Sequence, residues 1–360
     1  GCPLSSTTTN DANATKKSSP KNERLCMGGH RETIFGVSFS PDGKYLASAS
    51  QESTTCIWDV TSHRLVATLS EGMDAEFECL RVAWMKNMAS GDDDVNDGEN
   101  YLLASSGADG IVRLWSGCCS SGEGKELNWQ CVGMQDHHLL ERDGGGASDE
   151  EEERPQIYAL QFVQSKAVGK NTNILLTSAN DTIYLWNIDK EDDVHPQSPN
   201  NDDAVKRRRK FIPLRSIRFS HVDDEGSNFF GGLRNPNNEL YVFDASYCES
   251  TDLLGVALSD GTCRVLSPLA NTGSSNDDDS YRHDQCVLSL PPGYFAGKRG
   301  GHLTALSWDK SGTRLATCIA SGRVVLWLLQ VAIGDDGRQV LHPSCVSVLE
   351  GGKSWWLVFL

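Results

Sequence analysis

No two of the twelve cysteines stand in a C-x-x-C pair, no apolar run is long enough to span a bilayer, and cations are the minority charge. The first absence argues against paired-thiol zinc or redox chemistry. Cys56, Cys263 and Cys318 lie inside apolar stretches, where a thiol acts as a small hydrophobe, so reduced intracellular thiols are expected. Adjacent Cys118 and Cys119 read as filler in a Gly/Ser loop. The most apolar stretch, Arg314 to Gly334, is broken by Gly322 and Arg323 where a turn fits, so it reads as two strands and no membrane association is expected. With 33 Lys and Arg against 49 Asp and Glu, the net charge of −16 repels phosphate backbones, which argues against direct nucleic-acid binding. The first thirty residues are polar and read as no signal peptide. Gly1 in place of Met is what a fragment or a processed form would show.

What is present is a chain of 360 residues, longer than one hydrophobic core usually serves, so repeats are the first thing to seek. Hydrophobic residues make up only 38% and glycine is plentiful, a composition that suits many short strands joined by polar turns.

Five segments share one order: an apolar strand, a loop, a strand of small residues, a tight turn, and a strand ending near Trp. The first is continuous, IFGVSFSPDGKYLASASQESTTCIWDV from Ile34 to Val60. The others are LRVAWMKN with YLLASSGADGIVRLWS, IYALQFVQ with NILLTSANDTIYLWNI, ELYVFDASYC with DLLGVALSDGTCRVLS, and HLTALSWDKSGTRLATCIASGRVVLWLL. Tyr45 to Trp58, Leu102 to Trp115, Leu253 to Leu266 and Arg314 to Trp327 are each 13 residues apart, while Leu175 to Trp186 is 11, which predicts a shortened turn in the third segment. Asp109-Gly110 and Asp260-Gly261 sit where a tight hairpin needs positive φ.

These segments resemble WD repeats, through Gly29-His30, the S-P-D-G turn and the closing Trp58-Asp59. The resemblance covers residues 24–352 and implies an all-β fold: a β-propeller of at least five four-stranded blades, each leaning on its neighbours, and an incomplete ring if the family's usual seven is the standard. It implies outermost strands at RLVATL, WQCVGM, LRSIRF, QCVLSL and CVSVLE, and structural roles for His30, Trp58, Asp109, Trp115, Trp186, Asp260, His302 and Trp327. The family's polar network of His, Ser or Thr, Asp and Trp reads as complete in no segment: Glu52 stands at the Asp position of the first, Asp109 has no Gly-His, and Ser321 stands opposite His302. Residues 1–23 read as a disordered tail, and 353–360, ending KSWWLVFL, match no blade ending.

Polar insertions are read at 87–100, 136–155, 189–210, 222–238 and 270–284, the first two lying within Trp-to-Trp spacings of 57 and 71 residues, and their composition predicts disorder. Loops of this kind are tolerated, each doubling of length costing roughly 0.6 kcal/mol. Lys206, Arg207, Arg208, Arg209 and Lys210 form a basic run of nuclear-import type, or else a solvated cluster that offsets nearby acids. Ser148 precedes Asp149 and four Glu, a setting for acid-directed phosphorylation or simply a solubilising loop. Asp136, His137 and His138 lack the spacing that converges metal ligands, and Gly144-Gly145-Gly146 follows no strand, so neither a metal nor a phosphate site is expected.

No nucleophile, zincin or P-loop motif occurs, so no cofactor and no small-molecule substrate are expected. The reading is a non-catalytic protein–protein interaction scaffold or adaptor subunit, intracellular, in the nucleus or cytoplasm. A ubiquitin-ligase substrate receptor is one version. The family members of that kind end a repeat in W-D-x-R, and here Trp58-Asp59-Val60 is followed by Thr61. A propeller enzyme or nucleic-acid binder with a channel-mouth site is the reading from another class.

Overall fold

A computed structural model describes residues 28–70, 72, 76–85, 99–119, 127–141, 154–164, 173–190, 208–220, 240–269, 286–289, 302–333 and 339–350. Among these described residues twenty strands form five four-stranded antiparallel sheets, each from consecutive strands. Sheet 1 holds β1 (Ile34–Phe39), β2 (Tyr45–Ser50), β3 (Thr54–Asp59) and β4 (Arg64–Leu69). Sheet 2 holds β5 (Cys79–Trp84), β6 (Glu99–Gly107), β7 (Ile111–Cys119) and β8 (Leu127–Asp136). Sheet 3 holds β9 (Leu160–Val163), β10 (Ile174–Ala179), β11 (Thr182–Lys190) and β12 (Arg209–Arg218). Sheet 4 holds β13 (Val242–Cys248), β14 (Leu253–Leu258), β15 (Cys263–Leu266) and β16 (Cys286–Leu288). Sheet 5 holds β17 (Leu303–Trp308), β18 (Arg314–Ile319), β19 (Arg323–Ile333) and β20 (Gln339–Glu350).

The even spacing seen in the sequence is a register. Leu46 faces Trp58, Leu103 faces Trp115, Leu254 faces Leu266 and Leu315 faces Trp327 across the second and third strands. In sheet 3 Leu175 faces Trp186 around a tighter turn, with Asn180, at φ 47°, between the paired Ala179 and Thr182. Elsewhere the turn closes with a left-handed residue: Ser53, Gly110, Gly261 and Gly322. A bulge falls at Trp58, Trp115, Trp186 and Trp327 in the pairing with the fourth strand, so each indole is aimed by the same local irregularity.

Successive sheets stack face to face, with β1, β5, β9, β13 and β17 meeting along the inside. The face bearing the Trp, the front, packs on the back of the sheet before it. Trp115 joins Ala47, Ala49 and Ile57 of sheet 1; Trp186 joins Leu102 and Leu114 of sheet 2; Trp327 joins Leu253 and Val265 of sheet 4. In sheet 4 Leu254 and Leu266 take that place against Ile183 and Leu185. Apolar burial between sheets is therefore the main cohesive force, at about 25 cal/mol per Å².

Several boundaries differ from those expected. Glu99 and Asn100 begin β6, Asp189 and Lys190 end β11, and Arg209 and Lys210 begin β12, so the insertions at 87–100 and 189–210 are shorter than composition suggested. Strand pairing overrides polarity at a hairpin's ends: Lys190 pairs Arg209 and Asp189 pairs Lys210. Asp136 ends β8, His137 is buried, and His138–Glu141 forms a single helical turn, where an insertion from 136 onward was expected. Cys118 and Cys119 close strand β7 and pair with Asn128 and Leu127, so they are not in a loop. Residues 1–23, 222–238, 270–284 and 353–360, with Ser148, Lys206 and Arg207, lie outside the described residues.

Candidate interaction surface

The sheets carry polar ties near the turn between their second and third strands, in four of them with a Trp, and these ties decide which side chains stay free for partners. In sheet 1 the Ser48 hydroxyl takes the Trp58 indole N–H at 2.8 Å and is hydrogen-bonded to His30 Nε2 at 2.7 Å. His30 Nδ1 meets Glu52 at 2.5 Å, and that bond holds the Glu52 carboxyl below its ordinary pKa. The network expected to be incomplete here is complete: the longer Glu52 reaches the imidazole from a turn where the family has Asp. Gly29 is needed beside it, because a Cβ there would lie 2.2 Å from the Trp58 ring.

Sheet 3 builds the same tie from a residue read as loop. His137 Nε2 is hydrogen-bonded to Thr177 Oγ1 at 2.8 Å, and the Trp186 N–H donates to the same oxygen at 2.9 Å. Among the described residues no carboxylate reaches His137 Nδ1, and burial pushes the imidazole pKa down to about 4 against the opposing pull of the Gln135 and Gly110 backbone. The signal available in sequence was position: Asp136-His137 follows an outermost strand directly, but Gly-His was the pattern sought.

Sheets 2 and 4 use arginine instead. Arg113 and Asp109, both nearly inaccessible, pair at 2.7 Å, and Arg113 also donates to the Gly72 carbonyl. Arg264 and Asp260 pair at 3.4 Å, and Arg264 donates to the Ser220 carbonyl at 3.2 Å. The signal missed was the twice-occurring D-G-x-x-R, Asp109 to Arg113 and Asp260 to Arg264. Trp115 keeps its hydroxyl partner, Ser105, at 2.8 Å. Sheet 4 loses indole and hydroxyl together, Leu266 and Val256 replacing them, which leaves no polar group unpaired. In sheet 5 Trp327 donates to Thr317 at 3.0 Å, while His302 packs against the Phe243 ring, centroids 5.0 Å apart, and no hydrogen bond joins it to Thr317.

Nearer the inner strands a second group gathers residues from several sheets. A bulge in the first strand sets Arg81 in sheet 2 and Asp244 in sheet 4 at equivalent positions. Arg81 donates to the Leu80 carbonyl at 3.1 Å, and Asp244 accepts from the backbone N–H groups of Leu306 at 2.9 Å and Ala245 at 3.0 Å. Burial raises the Asp244 carboxyl to about 6 against the opposing pull of the Arg81 charge and of its two backbone hydrogen bonds. The rings of Tyr158, Phe243 and His302 follow one another across sheets 3, 4 and 5, with centroids 5.6 and 5.0 Å apart. The outermost strands expose apolar side chains on the rim: Leu65 and Val66 on β4, Met134 on β8, Ile212 and Leu214 on β12. This rim and the inner mouth are surfaces a protein partner can cover.

Of the basic run, Arg208 and Lys210 are exposed, while Arg209 is buried at the start of β12. The run therefore does not lie wholly in a loop. Among the described residues no three His, Cys, Asp or Glu side chains converge as a metal site, and no helix is long and apolar enough to cross a membrane.

The family model "WD domain, G-beta repeat" matches residues 22–59. The "Denticleless protein homolog" of Gallus gallus is 23% identical over 324 residues, 84% of this chain and 41% of that protein. "Protein hir-1" of Neurospora crassa is 34% identical over 102 residues, 27% of this chain and 10% of that protein. The chain thus spans about two fifths of the length of the relative matched along most of it. Among solved structures, Raptor of Chaetomium thermophilum superposes with a TM-score of 0.51 at 10% identity, over 90% of this chain and 21% of that one, a likeness of fold alone.

Proposed function

Because this chain is a WD-repeat protein of β-propeller architecture, we propose that it works as a non-catalytic scaffold or adaptor subunit that holds partner proteins on its rim and inner mouth. The observation that carries this reading is how the repeat uses its polar residues. The His, Glu, Asp, Arg, Ser and Thr side chains at equivalent positions are bonded to one another inside the sheets, so they serve rigidity. What is left outward is surface, and a stable interface needs roughly 800 Å² per partner. Affinity purification of a tagged chain followed by mass spectrometry tests it: specific co-purifying proteins are expected. Turnover in a hydrolase panel with nothing co-purified would replace the scaffold with the enzyme reading.

A nuclear location follows from the basic run in this reading. Lys206, Arg207 and Arg208 supply cations ahead of the β12 pairing, whereas Arg209 belongs to the sheet. Replacing Lys206, Arg207 and Arg208 with Ala should shift a fluorescent fusion towards the cytoplasm. An unchanged distribution would return the run to a solvated charge cluster. Ser148 phosphorylation stands as a companion proposal, tested by a kinase assay with Ser148→Ala as the control.

A further inference from the structure

From Arg208 to Ser220 the chain carries Arg208, Arg209, Lys210, Arg215 and Arg218 and no Asp or Glu, although the protein as a whole has a net charge of −16. Most of this stretch is β12, the outermost strand of sheet 3. Pairing with β11 sorts its side chains: Lys210, Ile212, Arg215 and Ile217 lie opposite Asp189, Asn187, Leu185 and Ile183, so all four share the back of the sheet. Ile183, Leu185 and Ile217 pack there against Leu254 and Leu266 of sheet 4. That cover ends towards the start of β12. Ile217 is 4% exposed, whereas Ile212 is 36% and Leu214, at the bulge, 43% exposed, with Arg208 and Lys210 exposed beside them. The reason lies in the next sheet, whose outermost strand β16 has 3 residues among the described ones against 10 in β12.

The strip has an order along the rim: Arg208 and Lys210, then the aliphatic Ile212 and Leu214, then Arg215 and Arg218. Arg215 donates to the Pro268 carbonyl at 2.6 Å, and Arg218 meets Asp181 at 3.2 Å with its side chain still 74% exposed. Arg208 and Lys210 form no ion pair among the described residues. Asp189, opposite Lys210, and Asp181 are the counter-charges, so cations outnumber acids here.

We propose that this strip docks an extended acidic segment of a partner protein, with two aliphatic side chains seated on Ile212 and Leu214 and carboxylates to either side, an inference that rests on the scaffold reading. Charge complementarity selects the occupant, because a segment rich in Asp and Glu is repelled by the acidic surface elsewhere and attracted here. A nucleic acid would meet the same repulsion without using the aliphatic centre. The extended form follows from spacing: Arg208, Lys210 and Ile212 stand two residues apart, a repeat of roughly 7 Å that an extended chain matches side chain for side chain. Side chains carry the contact, since Pro213 has no N–H and the bulge at Leu214 interrupts the outer edge of the strand.

Fluorescence anisotropy with a labelled synthetic peptide tests it. The probe carries Val and Leu two residues apart, flanked on each side by alternating Glu and Ser; one control peptide has Lys for every Glu, and a second has Ser for Val and Leu. The proposal expects the probe to bind about tenfold tighter than either control, Lys210→Glu and Leu214→Ser each to weaken it about tenfold, and added salt to weaken it further. Equal affinity for the three peptides, or binding unchanged in both variants, overturns it. Tighter binding of a DNA duplex or of anionic lipid vesicles overturns it in favour of that ligand, and binding of the probe only after Asp149, Glu150, Glu151, Glu152 and Glu153 are replaced with Ser overturns it in favour of the chain's own acidic run. Should a variant fail to fold, a photo-crosslinking version of the probe on the unmodified chain decides: adducts on β12 support the proposal, and adducts confined to other strands overturn it. Partner proteins that co-purify equally well with Lys210→Glu would overturn this docking site while leaving the scaffold reading standing, whereas the absence of any partner strikes the scaffold reading itself.

Discussion

Sheets 1 and 3 are tied by an imidazole, sheets 2 and 4 by a guanidinium, and the two solutions respond to different challenges. In sheets 1 and 3 a neutral-capable ring shares one hydroxyl with the Trp. In sheets 2 and 4 a charge pair bridges the turn between the second and third strands and reaches a carbonyl of the incoming chain. The same repeat position can thus be satisfied by a proton-sensitive group or by a permanent cation. A partner surface built on such sheets keeps its shape either way, but the two pairs should fail differently.

The largest effect should come from breaking the tighter arginine pair. Arg113→Ala leaves Asp109 buried without its cation and should cost about 3–5 kcal/mol in urea denaturation. Arg264→Ala should cost less, because its pair is longer and less buried. If the two were equal, burial would not be what sets the difference. Trp115→Ala and Trp327→Ala should each lose about 3–5 kcal/mol, both indoles being buried against the preceding sheet.

Thr177→Val sharpens the comparison from the histidine side. It strands the His137 and Trp186 nitrogens together and should cost about 1–3 kcal/mol. Sheet 4, with Leu266 and Val256, shows why the cost is one of mismatch: removing both partners leaves nothing unsatisfied.

Acidification gives a smaller, signed test. His137 has a folded pKa near 4, below its ordinary 6.5, so its stabilising contribution is present above 6.5 and lost as pH falls towards 4. Asp244 runs the other way. Its folded value near 6 exceeds the ordinary 3.8, so it favours the folded state below 3.8 and loses that contribution as pH rises through 6. Melting temperatures measured from pH 4 to 7 should therefore show a weaker acid loss in His137→Gln than in the parent, and a stronger one in Asp244→Asn. Parallel curves for all three would mean that neither group titrates differently on folding.

The smallest effect is expected at the basic run. Arg208→Ala, at an exposed side chain, should change stability by no more than about 0.5 kcal/mol, whereas Arg209→Ala should cost more because that side chain is buried at the start of β12. Equal tolerance at both would remove the distinction between the loop end and the strand.

The five-sheet architecture and its register were legible because they are written in local spacing. A second strand, a turn of two or three residues and a third strand fix the distance from Leu46 to Trp58 and from Leu103 to Trp115 whatever the rest of the molecule does. The shortened turn at Asn180 was legible for the same reason. The insertion limits were not, because Lys190 and Arg209 look like loop residues until they are paired. The ties were half legible. Asp109 and Trp115 announced themselves, but Arg113 was given no role of its own, and His137 was lost beside a Gly-rich acidic stretch.

By itself, then, the sequence determined the repeat, the hairpin register and the Trp positions, all set by backbone geometry over about a dozen residues. Only the tertiary structure decided that Glu52 does the work of an aspartate, that His137 is a core residue, that Arg113 and Arg264 replace histidines, and that Ile212 stands exposed where Ile217, on the same face of β12, is covered. Each of those depends on what another sheet or a distant connection places against the side chain. Desolvation and hydrogen-bond partners are properties of that neighbourhood, and spacing along one chain carries no record of them.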